Sequence, residues 1–173
     1  FGHSFAGLAD EYYTSDVAYD DFFKRTVEPV EPNITALLDT ANLKWKKWVS
    51  SGIGLPSFWE KKEFEEMDYK WQDERRALNN KVAELKRNRA PKHEILEAEE
   101  EYNLKDKKHA DELDLFLQKT KNYRRVGAFE GAGYSSKGLY RPMIDCIMFS
   151  KGDKPFCRVC EEAILRVIQF YSE

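Results

Sequence analysis

The stretch "FGHSFAGLADEYY" places a histidine at position 3, a glycine at 7 and two adjacent carboxylates, Asp10 and Glu11. Imidazole and carboxylate are donors that a divalent zinc ion accepts together. Two histidines four apart on a helix chelate one zinc, because one turn sets both on the same face; a glutamate after the first then deprotonates zinc-bound water. Only His3 of such a pair lies in this chain, and taken alone it is an ordinary histidine near a helix start. Gly7 can reverse the chain after that helix and return Asp10 to the histidine. Glu11, longer and adjacent, is the alternative. Far downstream, "DCIMF" offers Met148 in a short apolar turn.

Three cysteines, Cys146, Cys157 and Cys160, fall within 15 residues. That clustering fits a disulfide staple, part of a zinc site whose fourth ligand comes from elsewhere, or free thiols. If the protein is exported, a disulfide from Cys146 to Cys157 or Cys160 is expected, with Cys157 the sterically freer partner and a Cys157–Cys160 bond the alternative. Such a loop of 10 to 15 residues is worth roughly 3 kcal/mol in the chain-entropy model.

The elements that must position these groups can be read from composition. The 173 residues carry 42% apolar and 34% charged side chains, with a net charge of −3 and a mean hydropathy of −0.70. This predicts a globular part plus something long, exposed and charged. The acidic balance gives no field for nucleic acid, and no apolar run reaches a membrane span of roughly 18 residues. Residues 28–56 are broken by prolines and glycines and hold one short amphipathic helix candidate around Trp45 and Trp48. Asn33-Ile34-Thr35 has the glycosylation pattern, common by chance and discounted.

From Trp59 to Lys121 glycine vanishes and Pro91 is the only proline. Phe64, Met67, Trp71, Leu78, Val82 and Leu85, then Ile95, Tyr102, Leu113, Phe116 and Leu117, recur at helical spacing. With "RNRAPKHE" as the break, residues 60–121 read as an antiparallel helical hairpin, each arm about 45 Å long at 1.5 Å per residue and marginal at its tip. The last 50 or so residues begin as glycine-rich irregular structure and end in a helix with Ile164, Val167, Ile168 and Tyr171 on its expected buried face.

The order of zinc helix, glycine turn, acidic ligand and later methionine turn is the metzincin layout. With "FGHSFAGLADEYY", "EPNIT", "FEGAGYSSKGLYRP", "IDCIM" and "PFCRVCEEAI" in sequence, the chain resembles the C-terminal part of the catalytic domain in the bacterial zinc-peptidase family that includes the immunoglobulin A peptidases. The resemblance implies an α+β, metzincin-like zincin as the parent fold, this fragment being mainly α. It implies that His and Glu precede Phe1, that His3 is the second zinc histidine and Met148 the Met-turn methionine. The fragment alone would then be inactive.

The usual metzincin glycine and ligand follow the second histidine by three and six; here they follow by four and seven. The preserved glycine-to-acid step favours Asp10 over Glu11 as the third ligand. By analogy, residues 130–141 form a cleft wall in which Tyr134 and Tyr140 are candidate oxyanion donors and Arg141 a candidate substrate contact.

The resulting organisation is 1–59, zinc-helix end and loops; 60–121, an inserted hairpin; and 122–173, Met-turn region and terminal helix. The expected function is a zinc-dependent endopeptidase acting on protein or peptide substrates, immunoglobulin A-like proteins among them, secreted or at the bacterial periplasm or cell surface. The competing reading is a non-catalytic binding or structural module whose working surface is the charged hairpin.

Overall fold

The structure is a computed structural model that describes residues 2–13, 23–24, 26–150 and 152–172. The chain divides into two compact units, residues 1–59 with 120–173, and residues 60–119. Its elements are mainly helical, with one small antiparallel sheet. Among the described residues no helix is long and apolar enough to cross a membrane.

The 60–119 unit is a helical hairpin of α2 (Lys61–Arg87) and α3 (Lys92–Lys119). Asn88 to Ala90 make the reversal, with Arg89 at φ 54, and Pro91 opens α3 by accepting the Glu94 N–H at 3.0 Å. Proline suits that place because the first-turn N–H groups have no intrahelical acceptor. The apolar stripe buries Phe64, Trp71 and Leu78 on α2 and Ala98 and Leu117 on α3, while Val82 and Leu85 nearer the tip are half-buried. Trp71 stacks on His109 with centroids 5.2 Å apart, and His109 faces Asp68 at 3.5 Å. Ion pairs Glu74–Lys105 (2.6 Å), Lys81–Glu101 (2.7 Å) and Lys86–Glu99 (2.7 Å) fix the antiparallel register. Each is exposed, hence worth roughly 0–1 kcal/mol.

The other unit begins with α1 (Gly2–Ala6). Gly7 ends it at φ 61, donating its N–H to the His3 carbonyl at 3.1 Å. A side chain there would meet nothing within 4 Å, so the demand is purely conformational. The chain then runs extended from Leu8 to Tyr13. From Asp10 onward its side chains alternate between half-buried (Asp10, Tyr12) and buried (Glu11, Tyr13), the period of a strand.

Residues 126–141, expected to be irregular, instead hold the hairpin of β1 (Phe129–Ala132) and β2 (Ser135–Arg141). Its register pairs Phe129 with Arg141, slips at a bulge between Glu130 and Ala132, and closes at Ala132–Ser135. The two-residue turn has Gly133 at φ 55 and Tyr134 at φ 62, the sign that matches strand twist.

In residues 28–56 the expected amphipathic helix is only a 3-10 turn, Lys46–Trp48, between a buried Trp45 and a half-buried Trp48. Trp45 donates its indole N–H to the Gly127 carbonyl at 2.6 Å. The final helix α4 (Arg158–Ser172) forms as expected, but it buries Val159, Cys160 and Ala163, leaving Ile168 and Tyr171 exposed. The core that receives α4 is built from Leu8, Leu43, Trp45, Cys146 and Met148, and it covers only the helix's first half.

Candidate functional site

The cap at Gly7 folds the chain back so that His3 Nε2 lies 3.0 Å from Asp10 Oδ1. The opposite ring nitrogen, Nδ1, is 2.7 Å from the Leu8 carbonyl. A carbonyl only accepts, so Nδ1 carries a proton and Nε2 is the ring atom turned to the carboxylate. The pair is reachable, with side-chain exposures of 54% for His3 and 18% for Asp10.

The second carboxylate oxygen, Asp10 Oδ2, accepts the Tyr134 hydroxyl. Tyr134 gets there through backbone bonds: Gly133 N–H donates to the Asp10 carbonyl at 3.0 Å and Tyr134 N–H to that of Tyr12 at 3.1 Å. The Tyr12 and Tyr134 hydroxyls lie 3.1 Å apart, with their rings edge to face at 5.1 Å. A tyrosine at φ 62 is strained, by about 1–2 kcal/mol, and the docking of the turn holds it there. Burial, then the bond given to Asp10 and the nearness of Tyr12, push the Tyr134 phenol far above its usual pKa. It stays protonated and remains a donor.

Glu11 turns the other way. It is 0% exposed, its N–H donates to the Met148 carbonyl at 2.8 Å, and Oε1 accepts from Asn33 Nδ2 at 3.0 Å. Cys160 Sγ lies 3.3 Å from the same oxygen. Burial holds the Glu11 carboxyl well above the usual range. The three cysteines converge beside it, with sulfur separations of 3.5 Å for Cys157–Cys160 and 4.0 Å for Cys146–Cys160. All three are buried free thiols. The expected disulfide is therefore not formed, and Cys160, expected to be hindered by its helix, sits at the centre of the group. One donor atom each from Glu11, Cys146, Cys157 and Cys160 lies within 4.8 Å of the others, a grouping able to hold a metal. Hydrogen bonds from Cys157 and Cys160 hold the Cys146 thiol far below its usual pKa and raise theirs.

Among the other expected residues, Met148 packs under α1: a Cβ added to Gly2 would come within 3.0 Å of its sulfur. Tyr140 is half-buried on β2, bonded through its backbone to Thr35 in both directions. Among the described residues it makes no hydrogen bond to His3 or Asp10. Arg141 cannot meet a substrate. It is 0% exposed, donates to the carbonyls of Gly131 (2.6 Å) and Ile144 (3.1 Å), and lies over the Phe149 ring at 3.9 Å.

Asn33 is the residue that sequence reasoning passed over. Fully buried, it accepts the Ala9 N–H at 2.8 Å and donates to the Ala9 carbonyl at 2.9 Å as well as to Glu11, which excludes its modification in the folded chain. It acts as the missing strand beside residues 9–11. Lys44 fixes its loop by donating to the carbonyls of Pro29, Glu31 and Ile34. Its signal was present in "EPNIT", but nothing in that motif names a partner 24 residues away.

No curated protein matches the sequence. The model of the IgA peptidase M64 family matches residues 1–168, and the chain belongs to that family of peptidases.

Proposed function

We propose that the chain is the C-terminal part of the catalytic domain of a metzincin-like zinc endopeptidase, with His3 and Asp10 as two of its metal ligands. The observation that carries this reading is the His3–Asp10 contact. With the Nδ1 proton given to Leu8, Nε2 and a carboxylate oxygen face each other at 3.0 Å. Two acceptors rest at that distance only around a proton or a cation. Imidazole nitrogen and carboxylate oxygen are ordinary zinc donors, and each has the outer partner such ligands need: Leu8 for His3, Tyr134 for Asp10.

A zinc ion held by His3 and Asp10 would supply a Lewis acid for the scissile carbonyl and for a water molecule. On this reading the other zinc histidine and the general-base glutamate would come from outside residues 1–173. The role derived for this chain's own residues is positioning. Gly7 sets the ligand geometry, Met148 closes the floor, and Tyr134 keeps a protonated hydroxyl at the site edge, where it can donate to a developing oxyanion. The substrates are proteins; immunoglobulin A-like chains are the first to test, on the strength of the family name, and export follows from such substrates.

In the full-length protein, peptide hydrolysis should stop with a chelator and return with zinc. Asp10→Asn, which keeps the shape and loses the charge, should lower kcat/KM by roughly a hundredfold or more, since it removes a metal ligand. Full activity in Asp10→Asn would remove Asp10 from the site.

A further inference from the structure

Asp10 and Glu11 are consecutive residues of one extended segment, and their carboxylates serve opposite sides of it. The Glu11 side is closed to solvent and is not used by the peptidase reading. We propose that Glu11, Cys146, Cys157 and Cys160 hold a second zinc ion, structural and buried, independent of any metal at His3 and Asp10.

The three distances that meet at Cys160 match the edges of a tetrahedral donor set, and all four donor atoms lie within 4.8 Å of one another. Zinc–sulfur bonds of about 2.3 Å and zinc–oxygen bonds of about 2.0 Å give tetrahedron edges of about 3.8 Å between sulfurs and about 3.5 Å from sulfur to oxygen. The sulfurs stand 3.5 and 4.0 Å apart, and Cys160 Sγ is 3.3 Å from Glu11 Oε1. A disulfide needs about 2.05 Å and leaves one of three thiols over. Four protein ligands in a site without access for water are what distinguishes structural zinc from catalytic zinc, and all four residues are buried.

The surroundings fit the same assignment. Cys157 and Cys160 bracket the start of α4 with C-x-x-C spacing, a usual zinc-ligand step. The Cys157 N–H donates to Cys146 Sγ at 3.2 Å, a bond that favours thiolate. Among the described residues, Glu11 Oε2 is buried without a hydrogen-bond partner. A polar oxygen so placed is expensive to bury unless a hydrogen bond or a cation satisfies it. Thiolates select borderline-soft metals, which favours zinc over calcium or magnesium. On binding, the protons held by the thiols and by the Glu11 carboxyl leave to solvent; three thiolates and one carboxylate around the dication carry a net −2, the same as an all-cysteine site. The ion would tie residue 11 to the loop at 146 and to α4, and so hold Asp10 in place from behind.

Cobalt(II) is the probe, because thiolate ligands give it an intense near-ultraviolet charge-transfer absorption that histidine and aspartate do not. The cobalt-loaded full-length protein should show this band, Asp10→Asn should keep it in full, and Cys160→Ser should lose it. Should Cys160→Ser fail to fold, two measurements replace it. Glu11→Gln should weaken cobalt binding at this band roughly tenfold or more. The three thiols of the native protein should resist a thiol reagent until a chelator is added. No band in the native protein, a band lost in Asp10→Asn, or a disulfide found among the three cysteines would each overturn the proposal.

Discussion

The two units of the chain keep their structure in different ways. In the hairpin of α2 and α3 the same contact recurs along a stripe: the exposed pairs Glu74–Lys105, Lys81–Glu101 and Lys86–Glu99 repeat one theme. In the other unit, single polar side chains each organise a whole segment. Asn33 holds residues 9–11, Lys44 gathers three carbonyls, and Arg141 spans Glu130, Gly131 and Ile144. Redundancy makes a structure tolerant, whereas a convergent polar group makes it specific. The second style is found where ligands must be placed to within a fraction of an ångström.

Three substitutions test this contrast, in order of expected effect. Asn33→Ala should be the most damaging. It strands the Ala9 N–H and carbonyl and removes the Glu11 contact, at roughly 1–3 kcal/mol for each buried orphan. A loss of about 3–5 kcal/mol should appear in urea unfolding followed by tryptophan fluorescence. A loss below about 1 kcal/mol would mean that the segment is held by other contacts. Gly7→Ala comes next, at about 1–2 kcal/mol for an L-residue in the left-handed region, because nothing crowds the site. It should lower zinc retention along with stability, since the cap brings Asp10 to His3. Lys81→Ala should be smallest, within about 0.5 kcal/mol, read from the helical circular dichroism signal. A larger loss would mean that the hairpin is not redundant.

The same contrast explains what could be read from the sequence. Periodic side chains announce a helix because the signal repeats, so α2, α3 and the Pro91 break were visible. The return of Asp10 to His3 across Gly7 was visible because those residues lie along one short segment. Contacts made once, across the chain, leave no such trace. Glu11 meets Cys160 across 149 positions, and Asn33 meets Ala9 across 24. The expected disulfide came from treating three cysteines as partners of one another, when the fourth member of their group was a carboxylate at the other end of the chain. The β1–β2 hairpin was hidden by its glycines, which read as loop although two of them serve its bulge and turn. For α4 the period and the face were right, with Ile164 packed on the core, but Ile168 and Tyr171 are exposed, because hydropathy cannot say where the underlying core stops.

The turn at Gly133 and Tyr134 bears on any attempt to engineer this protein. A designer optimising that hairpin for thermal resistance would place asparagine or glycine at position 134, since both accept positive φ readily. By every local criterion the redesigned turn would be an improvement. It would also delete the hydroxyl that now rests on Asp10. Position 134 is therefore one to exempt from consensus-style stabilisation, and its poor local fit is a useful warning that a residue has been kept for something other than stability.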